Sequence, residues 1–173
     1  MKTCVPTGKI LFILILTTSL TSCVGYRFNK TTPHQISSVQ LAPIINLTDE
    51  PAIERQITRA IRNYIQFDGR LQLVDHNDAD ARIEITINTY KNNPIAYRSK
   101  DREVSPHFYR QSITATARLI NPSNGETLQE ATNYGESIFE FESDLSTSKR
   151  NTQSEAANEL ARLLFSDLID KWP

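Results

Sequence analysis

The stretch Arg82–Asn88 reads RIEITIN, in which three isoleucines alternate with polar residues. Because successive side chains of a β-strand point to opposite faces, this alternation predicts a strand with one buried and one solvated face. An antiparallel sheet commonly has one face on the core and one face in water. The stretch therefore predicts an antiparallel sheet that is covered by helices on one side only.

Two more strands are predicted after this one. Residues 113–119 repeat the alternation, and the composition of Asn121–Gly125 is typical of a hairpin turn. The return strand is predicted from about Thr127 to Phe141. Leu128 and Ala131 are out of phase with its alternation, which predicts a β-bulge.

Two shorter strands with a helix between them are predicted before Arg82. The strands are Ile36–Pro43 and Leu71–Val74, and the short connection predicts that they run parallel. The helix is expected to begin with Thr48 or Asp49 as its N-cap and to end at Gly69. Its buried face is predicted at helical spacing, at Ile53, Ile57, Ala60, Ile61, Tyr64 and Ile65.

A second helix is predicted at the C-terminal end. Ser143–Asn151 is expected to be a polar connection, followed by Thr152 and Glu155 in the spacing of a capping box. The apolar face comprises Ala157, Leu160, Ala161, Leu164 and Leu168, with Phe165 and Trp172 beside it. The fold class is therefore α+β. We expect a two-layer sandwich over residues 36–173, with a mixed, mostly antiparallel sheet of four to five strands and two helices on one face.

The N-terminal segment has the pattern of a signal peptide. Lys2 and Lys9 precede the apolar run Ile10–Leu16, which is less than half of the roughly 20 residues that a membrane-spanning helix needs. The next residues, Leu20–Cys23, resemble the site at which bacterial lipoproteins are cut and acylated. We therefore expect removal of residues 1–22, although an ordinary secretory signal with an incidental cysteine is an alternative.

Lipidation of Cys23 would anchor the chain, since two or more acyl chains hold a protein stably on a membrane. Residues 23–35 are then the lipidated N-terminus and a polar tether. Bacterial lipoproteins retained in the inner membrane usually carry aspartate after the cysteine, whereas Val24 stands here. The expected location is the outer membrane, facing the periplasm.

Composition narrows the functional classes. The mature chain would have 151 residues, with 17 basic and 20 acidic ones, a net charge of −3 that does not suggest a nucleic-acid binder. Its two cysteines are Cys4, in the removed segment, and the acylated Cys23. The folded domain would therefore have neither a disulfide nor thiol chemistry. We expect no cofactor beyond the covalent lipid.

The sequence contains no recognisable catalytic constellation. His34, His76 and His107 are scattered among turns, and there is no glycine-rich phosphate loop. Asp75, His76 and Asp78 could be imagined as a metal site, but carboxylates in a polar turn are more often only turn-forming residues. We therefore predict a protein that is not an enzyme and holds no metal.

The segment Asn92–His107 interrupts the strand pattern and is expected to be a loop. From Tyr90 to Arg110 the net charge is +3, against −6 for the rest of the mature chain. This basic patch favours a phosphate-bearing ligand. Its cations are Lys91, Arg98, Lys100, Arg102 and Arg110, and Tyr97, Phe108 and Tyr109 could cover acyl or sugar faces. The alternative is a solvated hairpin tip without a ligand.

Taken together, these elements resemble the lipopolysaccharide-assembly lipoprotein family LptE. The resemblance covers the mature chain and rests on the order and spacing of its parts: Cys23, Gly25–Phe28, a strand ending near Pro43, a helix from Asp49 to Ile65, the Ala79–Ile87 segment, the Asn121–Glu126 turn and a C-terminal helix. In the family the glycine and tyrosine usually follow the cysteine directly, whereas Val24 intervenes here.

The resemblance implies a non-enzymatic role. Members of the family plug the lumen of an outer-membrane β-barrel partner, LptD, help it to assemble, and bind lipopolysaccharide on its way to the outer leaflet. The candidate lipopolysaccharide-binding residues are then the five cations of the basic patch. The alternative is another outer-membrane-anchored module, one that regulates a periplasmic cell-wall enzyme.

Overall fold

The computed structural model describes residues 36–75, 78–100, 103–142 and 144–170, without the side chains of Lys100 and Asn151. All of them belong to one compact unit, Thr32–Pro173. The predicted signal peptide, Cys23, the tether and Trp172 lie outside the described residues, and the predictions made for them remain predictions.

The described chain forms a six-stranded mixed sheet and two helices. Its elements are β1 (Ser38–Leu41), β2 (Ile45–Asn46), α1 (Ile53–Asp68), β3 (Gln72–Leu73), β4 (Ala81–Lys100), β5 (Glu103–Ile120), β6 (Thr127–Glu140) and α2 (Leu145–Ile169). The strand order is β3–β1–β4–β5–β6, with β2 beside β4. This confirms the predicted α+β fold class. The strand beyond the expected five is β2, which is only two residues long.

The parallel and antiparallel parts of the sheet are as predicted. β1 pairs in parallel with β3 and β4, so the β1–α1–β3 connection is a parallel crossover. β4, β5 and β6 pair antiparallel. Asp80 fastens the start of β4 to β1, because its Oδ2 accepts hydrogen bonds of 2.8–2.9 Å from the backbone and hydroxyl groups of Ser37 and Ser38. These bonds hold the pKa of the Asp80 carboxyl well below its usual range.

The alternation in the central strands is confirmed. Ile83, Ile85 and Ile87 are at most 2% exposed, and the inward residues of β5 are fully buried: Ile113, Ala115, Ala117 and Leu119. The predicted bulge in β6 is present. Leu119 pairs with Gln129 and Ile120 with Thr127, so Leu128 is the extra residue.

The loop predicted at Asn92–His107 is wrong. β4 and β5 remain paired as far as Lys100 and Glu103, so this segment is the outer part of a long hairpin. The alternation is lost because the register shifts between Ile87 and Thr89 and again around Ala96. None of the described side chains of residues 94–107 is buried, so no core selects apolar residues on one face.

Helix α1 begins later than predicted. Its N-cap is Ala52, at a φ of 60°, and neither Thr48 nor Asp49 caps it. Instead, Asn46 Oδ1 accepts from the Thr48 backbone at 2.9 Å, and Thr48 Oγ1 accepts from the Glu50 backbone at 3.3 Å. The polar side chains therefore close a turn before the helix.

The rest of the α1 prediction is confirmed. The predicted stripe is buried except for Tyr64, which is partly exposed and packs edge-on against Phe165 with 5.3 Å between ring centroids. Gly69 ends the helix at a φ of 69°, and its N–H donates to Ile65 O at 3.1 Å.

Helix α2 begins earlier than predicted, so the expected connection Ser143–Asn151 and the capping box at Thr152 and Glu155 are wrong. Asp144 is the N-cap, with its Oδ1 accepting from the Thr147 N–H at 2.9 Å. The first two turns are polar, which is why the apolar pattern does not reveal them. The predicted apolar face and Phe165 are buried.

Gly135 allows α2 to lie directly on β6. A Cβ at this position would be 2.1 Å from Ala156 O and 2.5 Å from Leu160 N. Both atoms are helix backbone and cannot rotate away. The glycine is therefore required by the close approach of the helix to the sheet.

Candidate functional site

The outer half of the β4–β5 hairpin is the candidate site. β6 stops pairing with β5 at Phe108 and Glu140, and β2 pairs with β4 only at Thr86 and Ile87. Residues 94–100 and 103–107, here called the hairpin arm, therefore form a two-stranded ribbon with no described strand on either side. The side chains of this ribbon face solvent and not a core.

The structure places three of the five predicted cations at this site. Arg98 lies in the arm, and Lys91 and Arg110 lie on β4 and β5 near its base. All three are exposed. Lys100 ends β4, but its side chain is not described, and Arg102 lies outside the described residues.

Two of these cations are paired with carboxylates of β6. Arg110 Nε lies 3.7 Å from Glu136 Oε2, and Arg98 Nη2 lies 3.8 Å from Glu140 Oε1. None of the ion pairs found among the described residues includes Lys91. The charge of +3 counted from Tyr90 to Arg110 is thus reduced by acidic groups that are distant in sequence and adjacent in the sheet.

His107 joins the Arg98 and Glu140 pair. Its Nε2 lies 2.6 Å from Arg98 Nη2 and 3.2 Å from Glu140 Oε1. Nε2 can accept from the Arg98 guanidinium when it carries no proton and can donate to the Glu140 carboxylate when it carries one. The imidazole and the carboxylate together therefore hold the Arg98 side chain at the base of the arm.

Exposed apolar side chains accompany the cations. Ile95, Tyr97 and Val104 of the arm are 41%, 59% and 68% exposed, and Tyr134 and Ile138 of β6 are more than half exposed. The sequence indicated only Tyr97 among these residues. The prediction of a loop gave Ile95 and Val104 no role. The signal that points to them is the presence of apolar residues within a charged segment.

The other two predicted aromatic residues have a packing role. Tyr109 stacks on Phe139, with 5.4 Å between centroids and 7° between ring planes, and Phe108 contacts the ring of His107. Both are only partly exposed. They fix the arm to the edge of the sheet, and Tyr97 is the predicted aromatic residue that is free to meet a ligand.

A half-buried polar network supports the base of the arm and was not predicted. Lys149 Nζ lies 2.7 Å from Glu50 Oε2 and 5.7 Å from the centre of the Tyr90 ring. The Tyr90 hydroxyl accepts from Gln111 Nε2 at 2.7 Å, and burial raises the pKa of Tyr90. These contacts connect β4 to α2 beside a cleft of about 420 Å³ whose lining includes Glu50, Tyr90 and Lys91.

The described part of the chain contains no set of metal ligands. No group of three or more His, Cys, Asp and Glu side chains among these residues could hold a metal ion. The imagined site at Asp75, His76 and Asp78 includes His76, which lies outside the described residues. In the described ranges, neither helix has the length and apolar content needed to cross a membrane.

Comparisons with known proteins bear on the family and the fold. A family model described as "LptE: Lipopolysaccharide-assembly" matches residues 36–172 and confirms the resemblance seen in the sequence. No curated protein matches the chain in sequence at a significant level.

The solved structures that resemble this fold share little sequence with it. The PelC dodecamer of Paraburkholderia phytofirmans is 17% identical, with a TM-score of 0.52 over 77% of this chain and 89% of that one. Protein XCC0632 of Xanthomonas campestris is 10% identical, with a TM-score of 0.52 over 77% and 83%. Lipoprotein B of Nitrosomonas europaea is 16% identical, with a TM-score of 0.47 over 83% and 92%. At these identities the likeness to the first two shows the fold alone.

Proposed function

This chain belongs to the LptE lipopolysaccharide-assembly family, and from that premise we propose that it is an outer-membrane lipoprotein which plugs an LptD-type β-barrel and assists lipopolysaccharide transport to the outer leaflet. The family match over residues 36–172 carries the proposal. The role is non-enzymatic: the domain works by binding the barrel and the glycolipid.

Acylation of Cys23 is the proposed anchor. Residues 23–35 would connect the lipid to the domain with a reach of at most about 45 Å when fully extended. Confinement to this distance raises the effective concentration of the domain beside a barrel in the same membrane. The mass of the mature protein tests this step: a triacylated cysteine is expected as its first residue, and a free Cys23 thiol would contradict it.

The uncovered face of the sheet suits the lumen of a barrel. Its side chains are largely polar and already form cross-strand pairs, such as Arg118 with Glu130 at 2.7 Å and Thr116 with Thr132 at 2.8 Å. The lumen-facing residues of an outer-membrane barrel are also polar. A polar face can exchange hydrogen bonds with such a wall without burying unpaired groups.

The hairpin arm is the proposed lipopolysaccharide contact. Lys91, Arg98 and Arg110 surround its base, and Lys100 and Arg102 belong to its tip by sequence. Exposed Ile95, Tyr97 and Val104 add an apolar surface. Lipopolysaccharide carries anionic groups and acyl chains, so cations and apolar side chains on one ribbon match both parts.

A pull-down from detergent-solubilised outer membranes tests the barrel partner. The full-length chain is expected to recover a large β-barrel protein. Recovery of a cell-wall synthase without a barrel would instead support the alternative regulatory module.

The lipopolysaccharide contact is tested separately by reversing Arg98, Lys100 and Arg102 to glutamate, which should weaken binding of the glycolipid. Unchanged binding would mean that the arm's cations are solvated and without a ligand.

A further inference from the structure

A second basic surface lies on the outer face of α1, away from the hairpin arm in sequence. Arg55, Arg59 and Arg62 recur at a spacing of four and three residues, which places them along one side of the helix. Ile57 and Ile61 lie on the opposite, buried side. We call the three residues the arginine stripe. They border a shallow depression of about 470 Å³ together with Glu54, Thr58, Asn63 and Gln66.

The arginine stripe is less neutralised than the cations at the arm. Arg62 lies 3.5 Å from Asp75, and both side chains are well exposed. Neither Arg55 nor Arg59 belongs to any ion pair found among the described residues. The attraction within an exposed pair such as Arg62 with Asp75 is weak, so Arg62 remains available to another anion. The stripe therefore retains a positive field that can attract an anion.

Helix stability does not explain this arrangement. Arg55 and Arg59 are four residues apart, and like charges at this spacing destabilise a helix. Arg55 also lies in the first turn of α1, where the helix dipole disfavours a cation. The arginine stripe therefore slightly lowers the stability of the isolated domain, and a bound anion would remove this effect.

The charge of the arginine stripe indicates the kind of ligand. Three cations along one side of a helix fit a ligand that carries more than one phosphate group, because each arginine can bind a separate group. Phe67 is 89% exposed, but it lies about 140° around the helix axis from Arg62 and is not part of this surface.

We propose that the arginine stripe is a second binding surface for lipopolysaccharide, in which Arg55, Arg59 and Arg62 bind its anionic sugar-phosphate groups. This inference rests on the proposed function, since it takes lipopolysaccharide as the ligand. Guanidinium groups suit phosphate because they donate two parallel hydrogen bonds. The domain would then bind one glycolipid, or two in succession, through separate basic surfaces.

The test is equilibrium binding of fluorescent lipopolysaccharide to the full-length chain in a nonionic detergent at low salt. Arg55→Glu with Arg59→Glu is the perturbing variant, and it should fold because glutamate suits the first turns of a helix. Arg150→Glu with Arg162→Glu is the matched control, with the same change in charge on two exposed positions of α2. Thermal melting verifies that both variants are folded.

We expect binding by the α1 variant to be at least about tenfold weaker, and binding by the control to change less than about twofold. Unchanged binding by a folded α1 variant would overturn the inference and leave the arm as the glycolipid site. Failure of the wild type to bind would instead refute the proposed function. Equal binding to phosphatidylglycerol vesicles would show a general preference for anionic surfaces and overturn the assignment to lipopolysaccharide.

Discussion

Removing two acidic side chains should strengthen lipopolysaccharide binding if the arm is the contact proposed above. Glu136 and Glu140 project from β6 towards Arg110 and Arg98, with nitrogen-to-oxygen distances of 3.7 and 3.8 Å. Each carboxylate competes with an incoming anion for its guanidinium. Replacing both with glutamine preserves their size and polarity and removes two negative charges from the base of the arm.

The size of the gain follows from distance and exposure. Two unit charges 4 Å apart interact by about 1 kcal/mol in water, and exposed ion pairs contribute about 0.2–1 kcal/mol. The four side chains are 37% to 62% exposed, so the aqueous values apply. The two pairs together should therefore give about 0.4–2 kcal/mol of tighter binding, which corresponds to about 2–30-fold in Kd. High salt should abolish most of this gain.

The assay is the same binding titration, made at low and at high salt. Glu130→Gln is the matched control: Glu130 pairs with Arg118 in the same manner, at 2.7 Å, but lies six residues from Glu136, about 20 Å along β6. That separation exceeds the screening length of about 10 Å at 0.1 M salt, so the control should bind like the wild type. Equal or weaker binding by a folded Glu136→Gln, Glu140→Gln variant would refute the assignment of these arginines to an anionic ligand.

Three further predictions concern stability, measured by thermal and urea unfolding of the full-length chain. Gly135→Ala should cost about 3 kcal/mol or more, because its Cβ would meet helix backbone at 2.1 Å. Gly125→Ala, in open space at a φ of 73°, should cost less, about 1–2 kcal/mol. Lys149→Met should cost about 1–3 kcal/mol, because Glu50, 12% exposed, loses its cation and keeps only the hydrogen bond from Gln153. Adding Glu50→Gln should recover part of that loss. Because hydrogen bonds lower the pKa of Asp80 in the folded state, its ionised carboxyl stabilises the fold above the unfolded pKa of about 3.9. The stability difference between wild type and Asp80→Asn should therefore be full at pH 7 and narrow as the pH falls below that value; a difference independent of pH would contradict this account.

The sequence was most informative where a core selects its residues. The alternation in Arg82–Asn88 and in residues 113–119, and the apolar stripes of both helices, predicted the two-layer arrangement because each face meets either the other layer or water. Helix starts were predicted wrongly for a local reason. Thr48 and Asp144 are both good capping residues, and only the structure shows that the first closes a turn and the second begins a helix.

The sequence predicted the basic residues of the candidate site but not the net charge around them. The cations of the arm were found because they are close in sequence, whereas Glu136 and Glu140 come from another strand and reach the same place only through the β5–β6 register. The support from Glu50 and Lys149 was invisible for the same reason, since 99 residues separate them. A count of charges along one stretch of sequence therefore omits the charges that neighbouring strands bring to the same place.

The exposure of the hairpin arm also explains why its sequence pattern led to the wrong prediction of a loop. A strand carries alternation only when one of its faces is buried. The described side chains of the hairpin arm are not buried on either face, so selection for a core is absent there. The segment nevertheless remains paired to its tip and holds Ile95, Tyr97 and Val104 in water. Exposed apolar side chains on an edge are usually avoided because they invite association. Their presence on a paired, charged ribbon is therefore better explained by a partner that covers them than by the stability of the domain alone.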